Sequence, residues 1–267
     1  AAATGNGTEI IYWSMWNSTE NQAKVLQEAA DAYEAKTGVH VAIEWKGRDV
    51  KSIITTALEA GEKIDLYDDD YQRVVVNNGQ FLEDLTDMAA TADFEKHVLP
   101  VILDTAKGWG DGKLFVVPYQ PYTTGVWYNQ DIFDEAGITE VPATWTEFRD
   151  VLQKVKDAGY EPLAMNSDEA KLVYGYQLAR YIGQEGVKDV VANSKWKATP
   201  EVLKAAEDIS SLFADGYFSA NAPGEGKTSQ EDIGLGTTAM MLGASWVPNE
   251  IDQTIGEPMN WGFFPWP

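Results

Sequence analysis

Hydrophobic positions along the chain alternate between two periods. Ile10, Ile11, Tyr12 and Trp13 form an unbroken apolar run, which predicts a short buried strand. Leu26, Ala29, Ala30 and Tyr33 then recur at helical spacing. Thr19 with Gln22 fits a capping box before them, and Gly38 stops the helix. Val39, Val41, Ile43 and Trp45 alternate strictly and predict a half-buried strand. Ile53, Ile54, Ala57 and Leu58 mark the next helix, ended by Gly61. A strand is expected over 64–67 and a short helix over 71–78. Residues 93–106 read as helix interrupted at Pro100, and Asp111-Gly112 as a hairpin-type turn into a strand over 114–117.

A second run of strands and helices begins after Pro118 and Pro121. Strands are expected over 125–129, 162–165 and 238–242. Helices are expected over 131–136, 171–182, from the Thr144/Glu147 capping box to about Ala158, and from Pro200 to Asp215. A short helical turn follows over 245–251. Strands and helices alternating through short loops define an α/β architecture. The proline-rich crossing at 118–121 is the best boundary between two domains, and there is no internal repeat.

Composition narrows the function. With 20 Lys plus Arg against 42 Asp plus Glu, the formal net charge is −22, which repels phosphodiester backbones and anionic membrane surfaces alike. The absence of cysteine removes disulfide scaffolds, thiolate metal sites and thiol nucleophiles. His40 and His97 have no metal-spaced neighbours, so neither a metal nor a cofactor is expected. The first seven residues, Ala1 to Gly7, are small and polar, which suits a mature or recombinant terminus left by a removed export segment and equally a cytosolic protein that never carried one.

Candidate chemistry gathers just past the strands. Asp68-Asp69-Asp70 directly follows the strand expected over 64–67, where open α/β sheets place ligand contacts. The same trio equally fits a solvated turn capping the helix at Tyr71. Trp16 and Asn17 follow the first strand; an exposed indole suits the apolar face of a sugar ring, with amides and carboxylates taking its hydroxyls. Tyr119 and Tyr122 flank the prolines, and Ser245-Trp246 follows a glycine turn after a strand. Packing beneath loops is the competing reading for each aromatic. Gly224-Glu225-Gly226-Lys227-Thr228 lacks the first glycine and the feeding strand of a phosphate-binding loop. Asn6-Gly7-Thr8 and Asn17-Ser18-Thr19 are formal glycosylation sequons.

In order along the chain, these segments resemble one family. They are Ile11-Tyr12-Trp13 with Trp16; Asp65-Leu66-Tyr67 with Asn78-Gly79-Gln80-Phe81-Leu82; and Gly112-Lys113-Leu114-Phe115-Val116-Val117-Pro118-Tyr119. Tyr128-Asn129-Gln130-Asp131-Ile132-Phe133-Asp134-Glu135-Ala136-Gly137 with Pro142-Ala143-Thr144-Trp145 is the most specific stretch. Ala239-Met240-Met241-Leu242-Gly243-Ala244-Ser245-Trp246 and Trp261-Gly262-Phe263-Phe264-Pro265 complete the series. They resemble the extracellular sugar-binding proteins of bacterial ABC importers, the maltose-binding-protein-like family.

The resemblance implies an α/β, type II periplasmic-binding-protein fold of two lobes joined by a hinge. The first lobe would span 1–118 and the second 119–260, with 261–267 crossing back toward the first lobe and the family's last segment missing. Trp16, Asn17, Asp69 and Asp70 would then serve the ligand from the first lobe. Tyr122, Tyr174, Ser245 and Trp246 would serve it from the second, with Trp246 the main stacking platform and Tyr119 near the hinge. The implied function is capture of a neutral oligosaccharide by lobe closure and delivery to a membrane permease. The implied protein is a monomer with no catalysis, cofactor or nucleic-acid partner, periplasmic or anchored outside the cell as a lipoprotein. Two readings stand beside it. A carbohydrate hydrolase would need a second carboxylate facing Asp68–Asp70, and the same fold could hold a cation such as a polyamine between aromatics and carboxylates.

Overall fold

A computed structural model of the chain describes residues 9–267, so the first residues and the sequon at Asn6 lie outside the described part. Contacts divide the chain into two units, Ala1–Pro121 and Tyr122–Pro267. No described helix is long and apolar enough to cross a membrane.

The first unit is built on β1 (Glu9–Ser14), α1 (Asn21–Thr37), β2 (His40–Trp45), α2 (Val50–Glu59) and β3 (Leu66–Tyr67). Each strand is followed by a helix that carries the chain back, so the strands run parallel, in the order β2-β1-β3. Tyr12 lies between Ile43 and Leu66, and Trp13 pairs Tyr67. The apolar face of α2 packs Val50, Ile54 and Ala57 against Trp13. Then come α3 (Tyr71–Asn78), α4 (Thr86–Thr91) and α5 (Pro100–Trp109). Residues 93–106 therefore resolve into a short 3-10 turn over Phe94–His97 and a helix that starts, not breaks, at Pro100. Residues 114–117, expected as a strand, pair with none. The Leu114 N–H goes to Thr86 Oγ1 (3.0 Å) and its carbonyl takes Leu85 N–H (2.7 Å), tying the segment to the start of α4.

The second unit contains β4 (Thr124–Asn129), α6 (Gln130–Glu135), α7 (Trp145–Asp157), β5 (Glu161–Ala164), α8 (Ala170–Ala192) and α9 (Pro200–Ala214). It ends with α10 (Thr228–Gly234), β6 (Thr238–Ala244), α11 (Val247–Ile255) and β7 (Trp261–Phe264). Its sheet has the order β5-β6-β4-β7, with β5 parallel to β6 and β4 antiparallel to both its neighbours. The Thr144/Glu147 capping box is formed at α7. Every residue of β6 is buried, as the central strand of a sheet covered on both faces must be.

Residues 261–264, in the segment expected to cross back toward the first lobe, form a strand against β4, and Trp266 is buried with Phe148 and Phe264 in this unit's core. Gly262 is required here, because a Cβ would overlap the Tyr128 ring, which lies across the strand. Phe148 is fully buried and touches the rings of Trp145, Phe264 and Trp266. Phe148→Ala is expected to destabilise the second unit by about 3–5 kcal/mol, measured as a lower midpoint of its urea unfolding transition.

Candidate functional site

Because the first unit's strands are parallel, the segments leaving β1, β2 and β3 emerge at one edge of the sheet. Asp68 sits there, 6% exposed. Its carboxylate accepts hydrogen bonds from Ser14 Oγ (3.0 Å), Tyr119 Oη (3.2 Å), Tyr12 Oη and the Met15 N–H. Tyr119 in turn accepts from Trp16 Nε1 at 2.8 Å. A buried carboxylate thus fixes a tyrosine, and the tyrosine fixes the indole. Burial, then the neighbouring carboxylate of Asp68, hold the Tyr12 phenol well above its ordinary value. Half of the Tyr119 side chain faces solvent, but its hydroxyl is turned inward. Desolvation there and the charge of Asp68, opposed by the Trp16 bond, push it up to about 12.

One face of Trp16 is already covered. The Arg48 guanidinium lies 4.5 Å from the ring centroid, held by Glu20 (2.7 and 3.2 Å) and by the Met15 carbonyl. Glu20 also takes the Asn17 N–H (2.6 Å) and Asn17 Nδ2 (3.2 Å). Burial would raise the Glu20 carboxyl, yet these hydrogen bonds and Arg48 bring it below the usual range. The expected Thr19/Gln22 capping box does not form; α1 starts after Glu20 with no side-chain cap. Gly47 makes room for Asn17, since a Cβ there would lie 2.7 Å from Asn17 Oδ1.

Asp69 and Asp70 are engaged within the protein. Asp69, with a side chain 3% exposed, holds Arg73 bidentately at 2.7 and 2.9 Å. Asp70 caps α3, accepting from the backbone N–H groups of Gln72 (3.1 Å) and Arg73 (3.2 Å).

In the second unit, antiparallel pairing sets Thr124 opposite Ala244, so the residues just before β4 meet those just after β6. Ser245 N–H donates to the Thr123 carbonyl (2.9 Å), and the Tyr122 ring meets Trp246 edge-on at 5.0 Å. Trp246 is 41% and Tyr122 54% exposed. Tyr174 lies two residues before Tyr176 on α8. Its hydroxyl donates to the Val202 carbonyl at 2.9 Å, on the α9 side of α8. Tyr176, two residues on, is the tyrosine that reaches this edge, through Thr124 Oγ1.

Tyr12, Glu20, Arg48 and Tyr176 carry no site signal in the sequence; Asp68 does, as the first member of the acidic trio. Among the described residues no group of three or more acidic, histidine or cysteine side chains could hold a metal.

The two kinds of aspartate are separable. Asp70→Ala is expected to cost the first unit about 1 kcal/mol, the loss of one helix cap. Asp68→Asn sets an amide NH₂ among four donors and is expected to cost about 1–3 kcal/mol, both read from urea unfolding. The Tyr119 shift has a sign as well. A phenol whose proton is held more tightly in the folded state stabilises fully below pH 10, and this is lost as pH rises toward 12. The difference in unfolding midpoint between the parent protein and Tyr119→Phe is expected to shrink across that window.

A family model described as bacterial extracellular solute-binding protein matches residues 16–267. The melibiose/raffinose/stachyose-binding protein MelE of Bacillus subtilis is 26% identical over 158 residues, 59% of this chain and 35% of that protein. The lactose-binding protein of Rhizobium radiobacter is 24% identical over 209 residues, 72% and 47% of the two chains. The chain thus spans about a third to a half of the curated relatives it matches. Among solved structures, the apo-form of RafE from Streptococcus pneumoniae superposes with a TM-score of 0.77 at 20% identity, covering 100% of this chain and 69% of that one. The Thermus thermophilus maltotriose binding protein gives 0.70 at 18% identity, covering 97% and 66%. The α/β architecture is that of the periplasmic-binding-protein fold. With the match running through both units, the chain belongs to the bacterial extracellular solute-binding protein family.

Proposed function

We propose that this protein binds a neutral oligosaccharide without chemical change and hands it to the membrane permease of an ABC importer, acting as a monomer outside the cytoplasm, periplasmic or lipid-anchored. The observation that carries the reading is the pair of aromatic platforms at strand ends. Trp16 is oriented by Tyr119 and Asp68, and Trp246 is set edge-on to Tyr122. Flat, poorly hydrated rings match the apolar faces of sugar rings, and the polar groups around them match hydroxyls; Trp246 is exposed, and Trp16 is partly buried with Arg48 over one face. The names of MelE and the lactose-binding protein support a sugar as the solute.

The engaged carboxylates favour binding over hydrolysis. A glycosidase needs two available carboxyl groups facing one bond, whereas Asp68 is filled by four donors, Asp69 by Arg73 and Asp70 by the backbone of α3. They also weigh against a polyamine, since the covered face of Trp16 already holds a cation, Arg48. Isothermal titration with raffinose, stachyose, lactose, maltotriose and spermidine tests this. Saturable binding of at least one sugar and none of spermidine is expected, with intact sugar recovered afterwards. Trp16→Ala and Trp246→Ala are each expected to weaken it at least tenfold, about 1.4 kcal/mol or more, as for a buried aromatic anchor. Released reducing ends, or spermidine binding alone, would overturn the reading.

A further inference from the structure

A third aromatic surface lies in the second unit, outside the positions considered so far. After α8 the chain makes a tight 3-10 turn, Lys195–Lys197, and the ring of Trp196 on it is 42% exposed. The turn is braced from several directions. Lys195 Nζ donates to both carboxylate oxygens of Asp189 (2.9 and 2.8 Å), and Asn193 Nδ2 donates to the same carboxylate (2.8 Å). Thr199 Oγ1 and the Ala198 N–H both bond the Lys195 carbonyl at 3.0 Å. Ser194 adopts a left-handed conformation (φ 52°) to enter it. These interactions fix the turn that carries the exposed Trp196.

Trp196 forms one wall of an open groove of about 570 Å³, completed by Tyr174, Thr199, Pro200, Val202 and Leu203. Leu203 is 64% exposed, and the Tyr174 hydroxyl is occupied by the Val202 carbonyl, leaving its ring to the groove. The volume falls within the range of small-molecule sites. Its lining offers a tryptophan and a proline to the C–H face of a sugar ring, with Lys197 and the acceptor side of the Thr199 hydroxyl for its polar groups.

The position relates it to the site already described. α8 starts from the loop leaving β5, on the edge of the sheet where Trp246 follows the parallel β6. Tyr176 faces Thr124 at that edge, and Tyr174, about 200° away around the helix, faces the groove. The first turns of α8 therefore stand between the Tyr122/Trp246 pair and Trp196. A helix with its side chains is about 10–12 Å across, so a single ring cannot touch both platforms.

We infer that the Trp196 groove is a further glycan subsite, taking a distal ring of an oligosaccharide whose proximal part contacts Trp246, so that this unit selects for chain length. The inference rests on the sugar-binding reading above. Asp189 acts here as a positioning residue, touching the Trp196 turn through Lys195 and Asn193.

Two ladders test it on the whole protein: melibiose, raffinose and stachyose, and maltose, maltotriose and maltotetraose. Affinity is expected to rise with length in the ladder that binds. Trp196→Ala is expected to remove that rise, a loss of roughly tenfold for the longest sugar with the disaccharide unchanged and the melting temperature unaltered. Trp196→Phe is expected to retain part of it, and Asp189→Asn to lose part of it. The Trp196 indole N–H resonance, assigned by its absence in Trp196→Phe, is expected to shift with the tetrasaccharide and not with the disaccharide. Sugar binding that shifts Trp246 while leaving Trp196 still, or equal length dependence in Trp196→Ala, overturns the subsite alone. No shift of any indole with either ladder overturns the sugar-binding reading itself.

Discussion

A carboxylate removed from water must have its lone pairs filled, and Asp68 shows what that demand does to a fold. Its four donors come from β1, from the loop after β1, and from Tyr119, 51 residues further along. Satisfying one buried group thereby fixes the exit of a strand, the path of a loop and the orientation of Trp16 beyond it. The neighbouring carboxylates obey the same rule by other means: Asp69 takes a guanidinium and Asp70 the open amides of a helix start. The acidic trio is three structural solutions side by side, and the first of them orients an aromatic ring through Tyr119.

Strand direction is the second constraint. In the first unit three parallel strands deliver their loops to one edge. In the second, the antiparallel β4 brings its entry to the same edge as the exits of β5 and β6, which is why Tyr122 and Trp246 meet. Two different sheet topologies reach the same arrangement, an aromatic ring beyond a sheet edge with polar groups behind it. The Trp196 groove extends the second of these around α8.

Much of the fold was legible as pattern. The helical spacing from Leu26 to Tyr33, the Thr144/Glu147 box and Pro200 at the first turn of α9 all mark elements that form. The departures share a cause. Thr19 and Gln22 form no box, and α1 starts one residue later, after Glu20, which pairs with Arg48 28 residues away. Residues 114–117 have a strand's composition but find their partners in Leu85 and Thr86, so no ladder forms. The segment 261–267 becomes a strand and a core tryptophan because β4 offers it a free edge.

The same division runs through the site. Local pattern alone was enough for most of the helices, for the strands from β1 to β6, and for the placing of Trp16 and Trp246 just past strand ends. These depend on neighbours within a few residues, through periodicity, caps and turns. Tertiary structure alone decided which carboxylates are engaged, that Arg48 covers one face of Trp16, and that Tyr176 and not Tyr174 turns toward Thr124. Each of those depends on a charge or hydrogen bond between residues far apart in the chain, and no local pattern records which distant partner a polar group will find.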